Sequence, residues 1–196
     1  MNVRRSMVVG GALLTLVGLM STPRVLFGAD QPKAKELIQQ NCVQCHRMEG
    51  QADSRFNLKA PDLIWAGSKY NRAWLIRWLT GKEAPLYVKG YRWDQSQEAH
   101  KHVTVSEAEA NGIADYLAEH NKDPRVKVGG FDLAKVTKFE AAFGGMAAKA
   151  HSCLGCHTVE ENGKLIGGQQ SAALEKAGQR YNQDWLFRFW LNPQDF

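Results

Sequence analysis

The chain has 196 residues, 44% hydrophobic and 23% charged, a balance that fits a soluble folded body. Its formal net charge of +5 is partly a property of the first 29 residues, which hold Arg4, Arg5 and Arg24 and no acid; without them the net is +2. No Lys/Arg stripe stands out in the remainder, which argues against a nucleic-acid partner.

Residues 1–29 read as an export leader. Arg4 and Arg5 precede an apolar run from Met7 to Met20, and small residues follow at Gly28 and Ala29. The run falls short of the about 20 residues that a bilayer span needs. Phe27 is a poor residue three positions before the leader's end, so an uncleaved N-terminal anchor is the alternative, and the sole route to membrane association. The expected compartment is the periplasm or an equivalent exported space, where disulfides are permitted.

The cysteines point elsewhere. All four fall in two identical C-x-x-C-H pentads, Cys42-Val43-Gln44-Cys45-His46 and Cys153-Leu154-Gly155-Cys156-His157. In a helical turn, thiols at i and i+3 project from one face with the imidazole directly after them. Two thiols so placed form thioethers with the two vinyl groups of a haem, and the adjacent histidine reaches beneath the macrocycle to the iron. C-x-x-C-H is the signature of c-type haem attachment. A four-cysteine zinc cluster would leave both histidines unexplained, a thioredoxin-like pair needs a βαβ setting, and plain disulfides need neither the spacing nor the histidines. The expected cofactors are therefore two covalent haems, with thioethers from Cys42, Cys45, Cys153 and Cys156 and proximal ligands His46 and His157.

The repeat extends past the pentads. Leu63, Ala66, Gly67, Tyr70, Asn71, Trp74, Leu75 and Arg77 recur without a gap as Leu174, Ala177, Gly178, Tyr181, Asn182, Trp185, Leu186 and Arg188, at the same offset as the cysteines, and Lys69 becomes Arg180. This is a duplicated unit. Both copies read as helical, with little strand pattern. Helices are expected over 33–41 (Pro32 at the start), 71–79, 106–120, 135–152 and 182–191. Ser106 with Glu109 forms a capping-box start, and Ile113, Tyr116 and Leu117 form an apolar face. Asp123-Pro124 and Gly129-Gly130 mark the linker.

With these residues in place, the sequence resembles class I cytochrome c domains, in a tandem dihaem arrangement that covers nearly all of the chain after the leader. It rests on C-x-x-C-H, on the segment from Ala66 to Leu79 and on the closing helix that starts at Ser106. The implied fold is all-α, with two helical domains at 30–124 and 125–196, each around one haem. The resemblance also implies a loop carbonyl that orients the ligating histidine. Pro61 sits at that place, with Ala172 as its counterpart; such an acceptor fixes the imidazole tautomer. Trp65, Trp74, Trp78 and Trp185 are expected to pack in cores that include the haem.

Members of this family place a distal methionine shortly before the last helix. Beyond the leader this chain has only Met48 and Met146, both expected as packing residues. His100 occupies the methionine's place, with His102 as the alternative. A histidine in place of a thioether predicts a low potential for the first haem. The counterpart of His120 would fall past Phe196, so the second domain is expected to be C-terminally incomplete, and its distal ligand is unknown. His151 is too near the second pentad to reach over the ring. Three explanations stay open: a chain that continues, a partner subunit that completes the pocket, or a five-coordinate reactive iron.

The function implied is electron transfer between a redox donor and acceptor, as a carrier or as a subunit of a larger oxidoreductase, with no catalytic residues. The alternative is a haem enzyme, peroxidase-like or sulfur-oxidising, with an open second iron.

Overall fold

The computed structural model describes residues 31–50, 60–84 and 101–195. The expected leader and His100 lie outside the described residues. Helix α1 (Gln31–Asn41) starts beside Pro32, which has no N–H to leave unpaired, and buries Ala34 and Ile38, one turn apart. A short α2 (Ala66–Lys69) leads into α3 (Arg72–Leu79), which buries Trp74, Leu75 and Leu79. Helix α4 (Glu107–His120) begins with the expected capping box: Glu109 N–H donates to Ser106 Oγ at 3.3 Å, and Ser106 N–H donates to Glu109 Oε2 at 3.0 Å. Its buried Ala110, Ile113, Ala114 and Leu117 follow a helical stripe, while Tyr116 is only partly buried against the cluster.

This stripe lies across α1, α2 and α3 and closes the core of the first half. The approach to α2 is close. A Cβ at Gly67 would collide with the Leu117 carbonyl, and Gly67 N–H donates to Asn121 O at 2.9 Å. Gly67 therefore lets two backbones meet.

The second half departs from expectation in three places. Its first helix, α5, spans Lys138–Ala150 rather than 135–152. Leu133–Lys135 forms a separate 3-10 turn, and a capping box of Thr137 with Glu140 sets the helix start. Next, strands β1 (Thr158–Glu161) and β2 (Lys164–Gly167) form an antiparallel hairpin, so the structure is mostly helical rather than all-α. The cause is the Asn162-Gly163 pair, at φ +53° and +73°, which supplies the doubly left-handed turn such hairpins need. Third, Phe139, Phe143 and Met146 on α5 are exposed, and Met146 is not a packing residue. No helix among the described residues covers α5 as α4 covers α1.

Helices α6 (Ala177–Arg180) and α7 (Gln183–Leu191) repeat α2 and α3 closely. The link between α2 and α3 has Tyr70 at φ −98°, ψ 138° and Asn71 at φ −65°, ψ 127°. Tyr181 and Asn182 stand at −100°, 144° and −65°, 132°.

These two links meet each other. Asn71 N–H donates to Arg180 O at 2.8 Å, Asn182 N–H donates to Lys69 O at 2.9 Å, and the Tyr70 and Tyr181 rings stack at 5.9 Å. Asn71 Nδ2 also donates to the carbonyls of Gln179 and Tyr181, whereas Asn182 Oδ1 accepts from Asp184 N–H and caps α7. The rings continue to either side: Trp74 stacks between Tyr70 and Trp78 at 5.4 and 5.7 Å, and Trp185 lies between Tyr181 and Phe189 at 5.4 and 5.3 Å. The chain between the halves is fastened as well, with Gly129 and Phe131 N–H donating to the Asp184 carboxylate.

Glu83 adds a charged clasp, accepting from Arg77 Nε at 2.6 Å and from Lys176 Nζ at 3.4 Å. Burial alone would raise its pKa, but the two cations outweigh it and hold the carboxyl below the usual glutamate range. A carboxylate held low stabilises the fold above its unfolded pKa, and that contribution fades as pH falls through the lowered value. Glu83→Gln should therefore lower the urea midpoint at pH 7, with the difference from the parent shrinking as pH falls below the usual glutamate range.

The glycines give a paired test. Gly67→Ala should cost about 1–3 kcal/mol by overpacking against Leu117. A methyl group at its counterpart, Gly178, would meet nothing within 4 Å, so Gly178→Ala should be neutral or gain up to about 1 kcal/mol of helix propensity. Urea denaturation followed by circular dichroism separates the two.

Candidate functional site

Each pentad sits where a helix ends. After α1 the backbone makes one further turn, with Cys45 N–H and His46 N–H both donating to Cys42 O, at 3.1 and 2.9 Å. After α5, Cys156 N–H and His157 N–H donate to Cys153 O at 3.2 and 3.0 Å. In both copies the turn brings the two cysteines and the histidine of the motif together. No disulfide joins the four thiols. Burial, followed by the neighbouring Cys45, pushes the Cys42 thiol above its ordinary pKa.

The histidines are oriented as the resemblance implied. His46 Nδ1–H donates to Pro61 O at 2.6 Å, and His157 Nδ1–H donates to Ala172 O at 2.7 Å. A ring nitrogen tied to a carbonyl fixes the tautomer and leaves Nε2 as the ligating atom.

The two carbonyl loops share a backbone anchor and differ in their side-chain braces. Leu63 N–H donates to Arg47 O, and Leu174 N–H donates to Thr158 O, both at 2.9 Å. In the first loop the Arg47 guanidinium grips the Asp62 carboxylate, whose other oxygen accepts from Ile64 N–H at 3.0 Å. In the second, Arg180 is 1% exposed and donates from Nη2 to Ala173 O at 2.9 Å, next to the carbonyl that holds His157. Along the sequence Arg180 stands out only as the counterpart of Lys69. A charged side chain is buried that deeply only when it is paired or hydrogen-bonded, and sequence alone does not show that it is buried.

His102 stands near His46. The two rings have centroids 6.2 Å apart with 63° between their planes. His102 Nδ1–H donates to Val103 O at 2.8 Å, and Trp78 lies against its ring at 5.2 Å. Burial holds both imidazoles below the usual histidine range. For His46 the Pro61 bond opposes this and His102 adds to it; for His102 the Val103 bond opposes it. Both are therefore neutral at neutral pH, the form that ligates a metal.

The other candidates occupy different parts of the fold. Met48 packs on the core, and its carbonyl accepts from Asn121 Nδ2 at 3.0 Å. Trp74 and Trp185 are buried, Trp78 is partly so, and Trp65 lies beneath the Arg125 guanidinium at 5.2 Å. His151 closes the C-terminal end of α5.

Residues 32–121 match the family model described as Cytochrome c. The match supports a class I cytochrome c domain over these residues. Neither a curated protein nor a solved structure matches the chain. The match supports a haem-based electron-transfer role and implies a covalently bound haem c with its iron. The residues of the cytochrome domain fit that group: Cys42 and Cys45 on one turn, and His46 with Nδ1 tied and Nε2 left to coordinate. No helix among the described residues is long and apolar enough to cross a membrane.

Because the acceptor for His46 is a backbone carbonyl, Pro61→Ala keeps it, and Ala172 already serves His157 in this way. The absorption spectrum of the reduced Pro61→Ala protein should match that of the parent; altered haem bands would show that the proline ring itself holds the loop.

Proposed function

We propose that the chain is an exported dihaem c-type cytochrome that carries electrons between a redox donor and an acceptor, alone or as the electron-transfer subunit of a larger oxidoreductase. One observation carries this reading: the second pentad reproduces the first down to the histidine–carbonyl bond, His157 to Ala172 matching His46 to Pro61 across the same loop. A second metal site needs that orientation, whereas a structural cysteine pair does not.

A bound haem supplies an iron centre that changes oxidation state by one electron. The chain's own part is to anchor it through Cys42 and Cys45, and through Cys153 and Cys156, and to present an imidazole with a fixed tautomer. The bridge between Tyr70 and Tyr181, with its two reciprocal backbone bonds and the Glu83 clasp, holds the two pentad-bearing halves together. That arrangement suits passage of an electron from one centre to the next.

The test is haem stoichiometry on the matured protein. Two haems per chain are expected, falling to one in the Cys42→Ala/Cys45→Ala variant and to one in Cys153→Ala/Cys156→Ala. One haem in the parent, unaffected by the second double variant, would limit the function to a monohaem carrier. Carbon monoxide added to the dithionite-reduced protein then separates the two function classes. Its exclusion from both haems fits an electron carrier, and its binding at the second haem favours the enzymatic alternative or a pocket completed by a partner.

A further inference from the structure

We propose that His102 ligates the haem iron on the side opposite His46, giving the cytochrome domain a bis-histidine centre; this rests on the haem reading of the first pentad. The sequence pattern favours His100 by its place before the closing helix, and the geometry around His102 argues for the neighbour.

The first argument is separation. Two imidazoles bound to one metal at about 2 Å on opposite sides hold their ring centroids roughly 6 Å apart. The His46 and His102 rings stand at 6.2 Å. Their 63° interplanar angle is no obstacle. Each ring plane contains its own bond to the metal, so the two can rotate about the shared axis independently.

The second argument is the state of the ring nitrogens. His46 gives its Nδ1 proton to Pro61 O, and His102 gives its Nδ1 proton to Val103 O. Each imidazole thus has its tautomer fixed by a backbone carbonyl and keeps Nε2 for a ligand, the usual outer arrangement around a metal-bound histidine. Two histidines that merely packed together would have no need of matching tautomers.

The third is support. Val105 N–H donates to Leu79 O at 2.9 Å and pins the segment that carries His102 to the end of α3. Trp78 from α3 rests on the His102 ring and is itself stacked on the buried Trp74. The imidazole is thereby held from behind by the same core that carries α1 and the first pentad. Two nitrogen ligands, without the thioether that raises potential, place this centre among the lower-potential small cytochromes.

The experiment uses the full matured chain and begins with haem counting. If Cys42→Ala/Cys45→Ala leaves the haem count of the parent unchanged, the haem reading of the first pentad fails, and this proposal fails with it. With that haem present, carbon monoxide binding to the reduced protein is titrated for the parent, His102→Ala and His100→Ala. The proposal requires His102→Ala to bind one more carbon monoxide per chain than the parent, and His100→Ala to bind no more than the parent. His102→Met retains a side chain able to ligate and covers the case in which the alanine variant does not accumulate. It should gain the thioether-to-iron charge-transfer band of the ferric protein and shift one haem to a more positive potential. An unchanged carbon monoxide count in His102→Ala, or unchanged spectrum and potential in His102→Met, overturns the assignment and leaves the ring pair as packing. An additional carbon monoxide in His100→Ala alone would pass the role to His100.

Discussion

Much of the molecule is arranged around one hydrogen bond, made twice: a histidine Nδ1–H given to a loop carbonyl. The bond is short in both copies, and it matters only if the loop stays where it is. The first loop is braced by Arg47 on Asp62, and the second by Arg180 on Ala173. These are different solutions to one mechanical problem. An exposed ion pair is worth little by itself, but the Arg47–Asp62 pair lies partly buried and also receives Ile64 N–H, so it fixes loop shape more than it adds stability. The buried guanidinium of Arg180 does the same work from inside, stacked on Tyr181 at 4.5 Å.

Helix α4 accounts for most of the difference between the halves. It covers α1, α2 and α3 with a small-residue stripe of Ala110 and Ala114 beside Ile113 and Leu117, and it reaches α2 so closely that residue 67 has no room for a side chain. In the second half the glycine persists at 178 but faces open space, and the large apolar residues of α5 stay exposed. Among the described residues, the same helical elements thus appear in a closed core and in an uncovered one.

Much of this was legible in the sequence. The pentads and the capping box at Ser106 are local patterns, and local patterns survive folding: each marks a real turn or helix start. Even the two carbonyls at Pro61 and Ala172 could be placed, because the resemblance fixes their distance along the chain from the histidine. The rest depends on either a weak local signal or a long-range fact. The hairpin was signalled by Asn162-Gly163, and its strands of four residues are too short to show alternation. The start of α5 was signalled by Thr137 and Glu140, a capping box as good as the one at Ser106. The nearness of His102 to His46 and the burial of Arg180 depend on how separate segments come together, which spacing along the chain does not encode.

The asparagines at the junction carry a last consequence. Asn71 and Asn182 occupy equivalent places and have nearly the same backbone angles, yet one side chain crosses to the opposite half while the other stays home to cap its own helix. In a symmetric dimer a two-fold axis would make both environments identical, and both asparagines would have to do the same job. Joining the two patches in a single chain lifts that obligation. Each copy is then free to specialise, and a contact that is symmetric in its backbone has become asymmetric in its side chains.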